Sequence, residues 1–253
     1  MLGRLYRKLR STGLALGAGL IILGCLATEA PERPAEVLGG VEIPGHVLAQ
    51  GERTYRAVCA SCHGPAGDGM GRLGVRQNPK PRSFAQGVIK FASVPAGELW
   101  VDEDVLRTLR RGLRGTQMIA VRVPDEDLRA VVHYIKRFSS RWRTETPGTP
   151  VKIPSDPWAN PREATGAGRE LYARECASCH EEGKSVPSIW ADPVRAPMLA
   201  EYRPKAGAEP ETLYRTVAAG IGGIEGKQGL ATSHTPREIW SLVHLLRTRL
   251  RLD

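Results

Sequence analysis

A five-residue unit, Cys-Ala-Ser-Cys-His, occurs twice in this chain of 253 residues, at positions 59–63 and 176–180. The residues before each copy repeat as well, because GERTYRAV precedes the first copy and GRELYARE precedes the second. In each half a glycine and a tyrosine precede the first cysteine of the unit at intervals of four residues, which is helical spacing. A repeat that includes the flanking residues predicts two similar helical domains in tandem.

The repeat continues downstream. Residues 106–112 (LRTLRRG) match residues 214–220 (YRTVAAG), and each stretch follows acidic residues and stops at glycine, as a short helix does. Residues 127–138 and 238–249 are amphipathic, and Thr235 opens the second of them with a capping box. Neither half has a convincing alternating strand pattern. We therefore predict an all-α fold with at least three helices per domain, joined by long loops rich in Gly and Pro.

Proline-rich and polar segments mark the domain boundaries. Residues 25–44 are predicted to be a tether, and residues 144–161, which carry five prolines, an extended linker. The first domain then spans residues 45–143 and the second residues 162–253.

The first 24 residues are typical of an export signal, with a basic start followed by an uncharged apolar run over residues 13–27. The run ends in Ile-Leu-Gly-Cys25, which resembles the lipobox of bacterial lipoproteins. That resemblance implies cleavage before Cys25, lipidation of its thiol and anchoring at the periplasmic face of a membrane. The alternative is an uncleaved signal anchor, which also places the rest of the chain outside the cytoplasm.

The unit C-x-x-C-H is the attachment signature of c-type haem. Two thiols about one helical turn apart can reach the two vinyl groups on one edge of the macrocycle, and the adjacent histidine can ligate the iron. The sequence thus predicts two covalent haem c groups, held by Cys59, Cys62, Cys176 and Cys179, with His63 and His180 as iron ligands. The alternatives are a thioredoxin-type thiol pair or one zinc ion shared by the four cysteines.

With these motifs the chain resembles a tandem pair of class I cytochrome c domains. The resemblance implies that the first and last helices of each domain cross, with Gly51 and Tyr55 or Gly168 and Tyr172 at the crossing. It also implies a methionine ligand in the loop before the last helix.

Met118 stands where the family has that methionine, six residues after Gly112. Met70 is the alternative methionine ligand, but it is less suitable because its loop directly follows the histidine, on the proximal side of the site. The second domain departs from the family. Counting places Gly226 or Gly229 at the methionine position, and the remaining candidates for the sixth ligand are His234, Lys227, Met198 or none.

Charge is unevenly distributed. Residues 45–143 contain 17 basic and 9 acidic residues, and residues 162–253 contain 13 and 12. A basic first domain predicts an acidic docking face on a redox donor or acceptor protein, whereas nucleic acid is disfavoured because no binding motif is present. We expect a membrane-anchored dihaem electron carrier, not an enzyme. The alternative is a peroxidase-like haem enzyme or a gas sensor that uses an open second iron.

Overall fold

The computed structural model describes residues 33–190, 193–199 and 202–250, and most of them belong to helices or the loops between them. Within this part the helices are α1 (Gly45–Val58), α2 (Ala60–His63), α3 (Asp102–Arg111), α4 (Asp125–Lys136), α5 (Arg141–Thr144), α6 (Pro161–Glu175), α7 (Ala177–His180), α8 (Pro210–Ala219) and α9 (Pro236–Arg249). Single 3-10 turns cover Gly74–Arg76 and Leu230–Thr232. Two antiparallel hairpins pair β1 (Glu36–Leu38) with β2 (Val41–Ile43) and β3 (Ser185–Val186) with β4 (Val194–Arg195).

The first and last long helices of each half cross at a glycine. In the first half α1 packs on α4, and a Cβ added to Gly51 would lie 2.1 Å from the carbonyl oxygen of Ala130. In the second half α6 packs on α9, and a Cβ added to Gly168 would lie 2.2 Å from the carbonyl oxygen of Ser241. Glycine lets the two backbones touch, and this crossing confirms the predicted all-α fold of two tandem cytochrome c domains.

The helix ends follow the signals in the sequence. Both α3 and α8 end before a glycine with positive φ, +69° at Gly112 and +85° at Gly220, which a residue with a Cβ rarely adopts. Helix α9 begins after Thr235, whose hydroxyl accepts from the backbone N–H of Glu238 while the Glu238 carboxylate accepts from the backbone N–H of Thr235.

The segment before α1 differs from the expected tether. Its described part, residues 33–44, contains the β1–β2 hairpin, and Leu38 and Ile43 lie buried in the core of the first half. The strands are three residues each, too short to show an alternating pattern. The Cys25 lipidation site lies outside the described residues and stays a prediction. No helix in the described ranges is both long and apolar enough to cross a membrane.

Residues 145–160 of the proline-rich linker contain no helix or strand, and they lie against both halves. The N–H of Val151 donates to the carbonyl of Ser93 (2.8 Å), and the indole N–H of Trp240 donates to the carbonyl of Pro154 (3.1 Å). Direct backbone bonds also join the halves, for example from Ala96 N–H to the carbonyl of Ala219 (2.8 Å). The two halves therefore form one compact unit.

Candidate haem sites

Each CASCH unit forms a tight turn directly after a helix. Helix α1 ends at Val58, and the N–H groups of Cys62 and His63 both donate to the carbonyl of Cys59, at 3.1 and 2.9 Å. The second copy has the same bonds, from Cys179 and His180 to Cys176, at 3.2 and 3.0 Å. None of these four cysteines is joined to another by a disulfide. One turn of helix holds each pair close together, as attachment to one edge of a haem requires.

Both histidines are held in the form that ligates iron. His63 Nδ1 lies 3.0 Å from the carbonyl oxygen of Arg82, and His180 Nδ1 lies 2.8 Å from that of Pro197. Because a carbonyl oxygen only accepts, Nδ1 carries the proton and Nε2 keeps its lone pair. Burial lowers the pKa of both imidazoles, so they are neutral at pH 7.

The placement of the cysteines disfavours the zinc alternative. Burial raises the pKa of Cys59 to about 12 and also raises that of Cys176. Within residues 33–190, 193–199 and 202–250, no group of three or more His, Cys, Asp or Glu side chains is placed to hold a metal ion. Each CASCH turn supplies two thiols and one imidazole, which suits two thioethers plus one axial ligand.

Met118 lies in the loop after α3. Its backbone N–H donates to the Thr116 hydroxyl (3.1 Å), and its half-buried side chain packs against the same core as Cys59 and Phe84. The competitor Met70 is 61% exposed. Position and packing favour Met118 as the sixth ligand in the first half.

Met118→Ala is expected to lower the potential of one haem by on the order of 0.1 V or more, because methionine ligation raises the potential and axial ligands span about 0.8 V. A spectroscopic redox titration measures this shift. Met70→Ala is the matched control and should leave both potentials unchanged. The opposite pattern would assign the ligand to Met70.

The candidates in the second half lie in different surroundings. The ring of His234 is engaged on both nitrogens, with Nδ1 2.9 Å from the Ser233 hydroxyl and Nε2 3.6 Å from the Glu175 carboxylate. Met198 is 40% exposed and follows Pro197, whose carbonyl accepts from the histidine. Lys227 is half-buried in the loop after α8.

A cluster of donors at the junction of the halves fits the carboxylates of haem. The guanidinium of Arg82 lies 4.2 Å above the ring of Trp190, whose buried indole N–H has no hydrogen-bond partner. Burial, Arg82 and Lys205 together lower the pKa of Lys90 to about 8. A buried donor and neighbouring cations are groups that an anion would satisfy. Haem carries two propionates, so the residues present fit the cofactor that the CASCH turns predict.

The residues of this junction were not found from the sequence. Arg82 and Trp190 belong to loops without periodicity, and they come together only when the two halves pack. The sequence offered one weak signal for the residues whose carbonyls meet the two histidines. Arg82 directly follows Pro81, and the second carbonyl belongs to Pro197 itself.

Comparison with known proteins agrees with this geometry. A search of curated proteins found no match. Among solved structures, a chain of the Kuenenia stuttgartiensis reducing HAO-like protein complex superposes with a TM-score of 0.75 and 28% sequence identity, covering 83% of this chain and 100% of that chain. Residues 46–135 and 163–246 match the family model described as cytochrome c oxidase, cbb3-type, subunit III. Since these two segments make up more than half of the chain, the protein belongs to that family. It is a c-type cytochrome, a protein that transfers electrons through haem.

Proposed function

We propose that the protein carries two haem c groups and passes electrons between redox proteins at the periplasmic face of a bacterial membrane, anchored by lipid at Cys25. The observation that supports two haems is the repeated site: both CASCH turns have the same backbone bonds and the same Nδ1–carbonyl bond on the histidine. The proposed carrier role needs no substrate pocket, because electrons enter and leave through the exposed edge of the haem.

The contact between the halves supports electron transfer within the chain. The Arg82 carbonyl meets His63 of the first half, and the Arg82 guanidinium stacks on Trp190 of the second. Gly222 approaches so closely that its N–H donates to the carbonyl of Lys90 (3.2 Å). A junction held this tightly keeps the two proposed cofactors at a constant separation, as a two-step relay requires.

The surface beside the first site has the composition of a docking face. Leu73 and Val75 are exposed apolar residues in the loop after CASCH, and the N–H of Leu73 donates to the Ser61 carbonyl within the turn (2.9 Å). Arg72 and Arg76 are exposed in the same loop. An apolar patch with arginines beside it suits transient binding of an acidic protein. The structural neighbour is itself part of a protein complex, which supports a redox protein as the partner.

Raising ionic strength should slow electron transfer, because screening weakens the attraction that steers an acidic partner. Stopped-flow reduction by an acidic flavodoxin, used as a probe, measures the rate. The double variant Arg72→Gln, Arg76→Gln should lower the rate about tenfold at low salt and flatten its salt dependence.

The matched control is Arg162→Gln, Arg169→Gln, which removes two exposed arginines from helix α6 in the second half. It should leave the rate nearly unchanged. Rates independent of salt in the wild-type protein would contradict the proposed docking face, and equal losses in the two double variants would show that net charge alone acts.

A further inference from the structure

We propose that Lys227 is the sixth ligand of the iron in the second half, at the position that Met118 occupies in the first half. The inference deepens the proposed function, since it rests on the presence of a haem at the second CASCH turn.

The backbone establishes the equivalence. In the first half the N–H of Leu113, directly after the helix-ending Gly112, donates to the carbonyl of Met118 (2.7 Å). In the second half the N–H of Ile221, directly after Gly220, donates to the carbonyl of Lys227 (3.0 Å). The equivalent backbone bond in each half therefore aligns Lys227 with Met118.

The packing around Gly112 and Gly220 gives the same alignment of the two loops. A Cβ added to Gly112 would meet the Met118 carbonyl oxygen at 2.6 Å and the backbone nitrogen of Ala120 at 2.9 Å. A Cβ added to Gly220 would meet the Lys227 carbonyl oxygen at 2.4 Å and the backbone nitrogen of Gly229 at 2.6 Å. In each half the glycine therefore packs against the ligand residue and the residue two positions later.

The second loop is longer than the first on both sides of Lys227. Met118 follows Gly112 by six positions and precedes the start of α4 by seven, whereas Lys227 follows Gly220 by seven and precedes the start of α9 by nine. Counting forward therefore stops one residue short, at Gly226, and counting back stops two residues too late, at Gly229. The backbone bonds therefore align Lys227, and not Gly226 or Gly229, with Met118.

The exposure of Lys227 also matches that of Met118. Lys227 is half-buried, as Met118 is.

The other candidates are placed less well. Both ring nitrogens of His234 already face protein groups, Ser233 and Glu175. Met198 adjoins the carbonyl that receives the Nδ1 proton of His180, so it lies on the histidine side of the site. The loop with Lys227, by contrast, has the same backbone register as the loop that carries Met118.

Lysine coordinates metal only as the neutral amine, so the Nζ proton passes to solvent when the lone pair of Nζ binds the iron. Methionine ligation raises the potential of a haem. An iron held by histidine and amine is therefore expected at the lower potential, and electrons within the chain are expected to run from the second half to the first.

The test uses the full haem-loaded protein and four variants: Lys227→Ala, Lys227→Arg, Lys227→Met and the exposed control Lys152→Ala. Haem content is measured as the pyridine haemochrome, and ligands by near-infrared magnetic circular dichroism of the oxidised protein. The wild type should show one methionine-ligated haem and one nitrogen-ligated haem per chain. Lys227→Met should double the methionine signal, because it places a thioether in the same register.

Lys227→Ala and Lys227→Arg should both lose the amine signature, and carbon monoxide should then bind about half of the reduced haem. The arginine variant separates charge from ligation, because arginine keeps the positive charge but does not deprotonate to coordinate the iron. Lys152→Ala should match the wild type. Two haems with an unchanged spectrum in all three Lys227 variants would overturn the Lys227 assignment alone. A wild-type chain with one haem would instead contradict the proposed function on which the assignment rests.

Discussion

Gly168→Ala is expected to destabilise the protein by about 3 kcal/mol, the upper end of the usual cost of overpacking a tight contact. The added Cβ would lie 2.2 Å from the carbonyl oxygen of Ser241 and 2.8 Å from its carbonyl carbon. Both atoms belong to the backbone of α9, so no side-chain rotation relieves the overlap. Helices α6 and α9 would have to separate, and the tyrosine and leucine packing between them would loosen.

Gly166→Ala is the matched control, two residues away in the same helix. A Cβ there has nothing within 4 Å. It should stabilise the protein by about 0.5–1 kcal/mol, because alanine loses less backbone freedom than glycine when a helix forms. Chemical denaturation of the haem-loaded protein, followed by circular dichroism, measures both changes. Equal stability of the two variants would show that the helices do not cross at Gly168.

The fold was predictable where its signals are local. The helices ending at Gly112 and Gly220 need a residue that tolerates positive φ, and Thr235 caps α9 through its own neighbours in sequence. The crossing at Gly51 and Gly168 was predicted from the resemblance to class I cytochrome c domains, and the repeat places both glycines at the same distance before their CASCH units.

Features that depend on distant contacts were not predictable. The β1–β2 hairpin is held by packing of Leu38 and Ile43 in the first core, not by its three-residue strands. The register of the second ligand loop depends on the backbone bond from Ile221 to Lys227, and extra residues on both sides of Lys227 mislead a count from either end. The stacking of Arg82 on Trp190 joins residues more than a hundred positions apart.

Removing both thiols of one CASCH turn should remove one covalent haem and leave the other. The double variant Cys176→Ser, Cys179→Ser keeps His180 and its bond to the Pro197 carbonyl, but serine cannot form the thioethers. Haem staining on a denaturing gel and the intact mass should therefore fall from two haems per chain to one. The double variant Cys59→Ser, Cys62→Ser should give the same count.

Ser178→Ala is the control for this turn and should retain both haems, since its exposed hydroxyl lies 3.9 Å from the Cys179 sulfur and takes no part in attachment. The two double variants also separate the sites, because each leaves one haem to be examined alone. The protein without the second pair should keep the methionine signature of Met118, and the protein without the first pair should lack it. Loss of both haems from either double variant would mean that one half cannot mature without the other, and it would contradict two independent attachment sites.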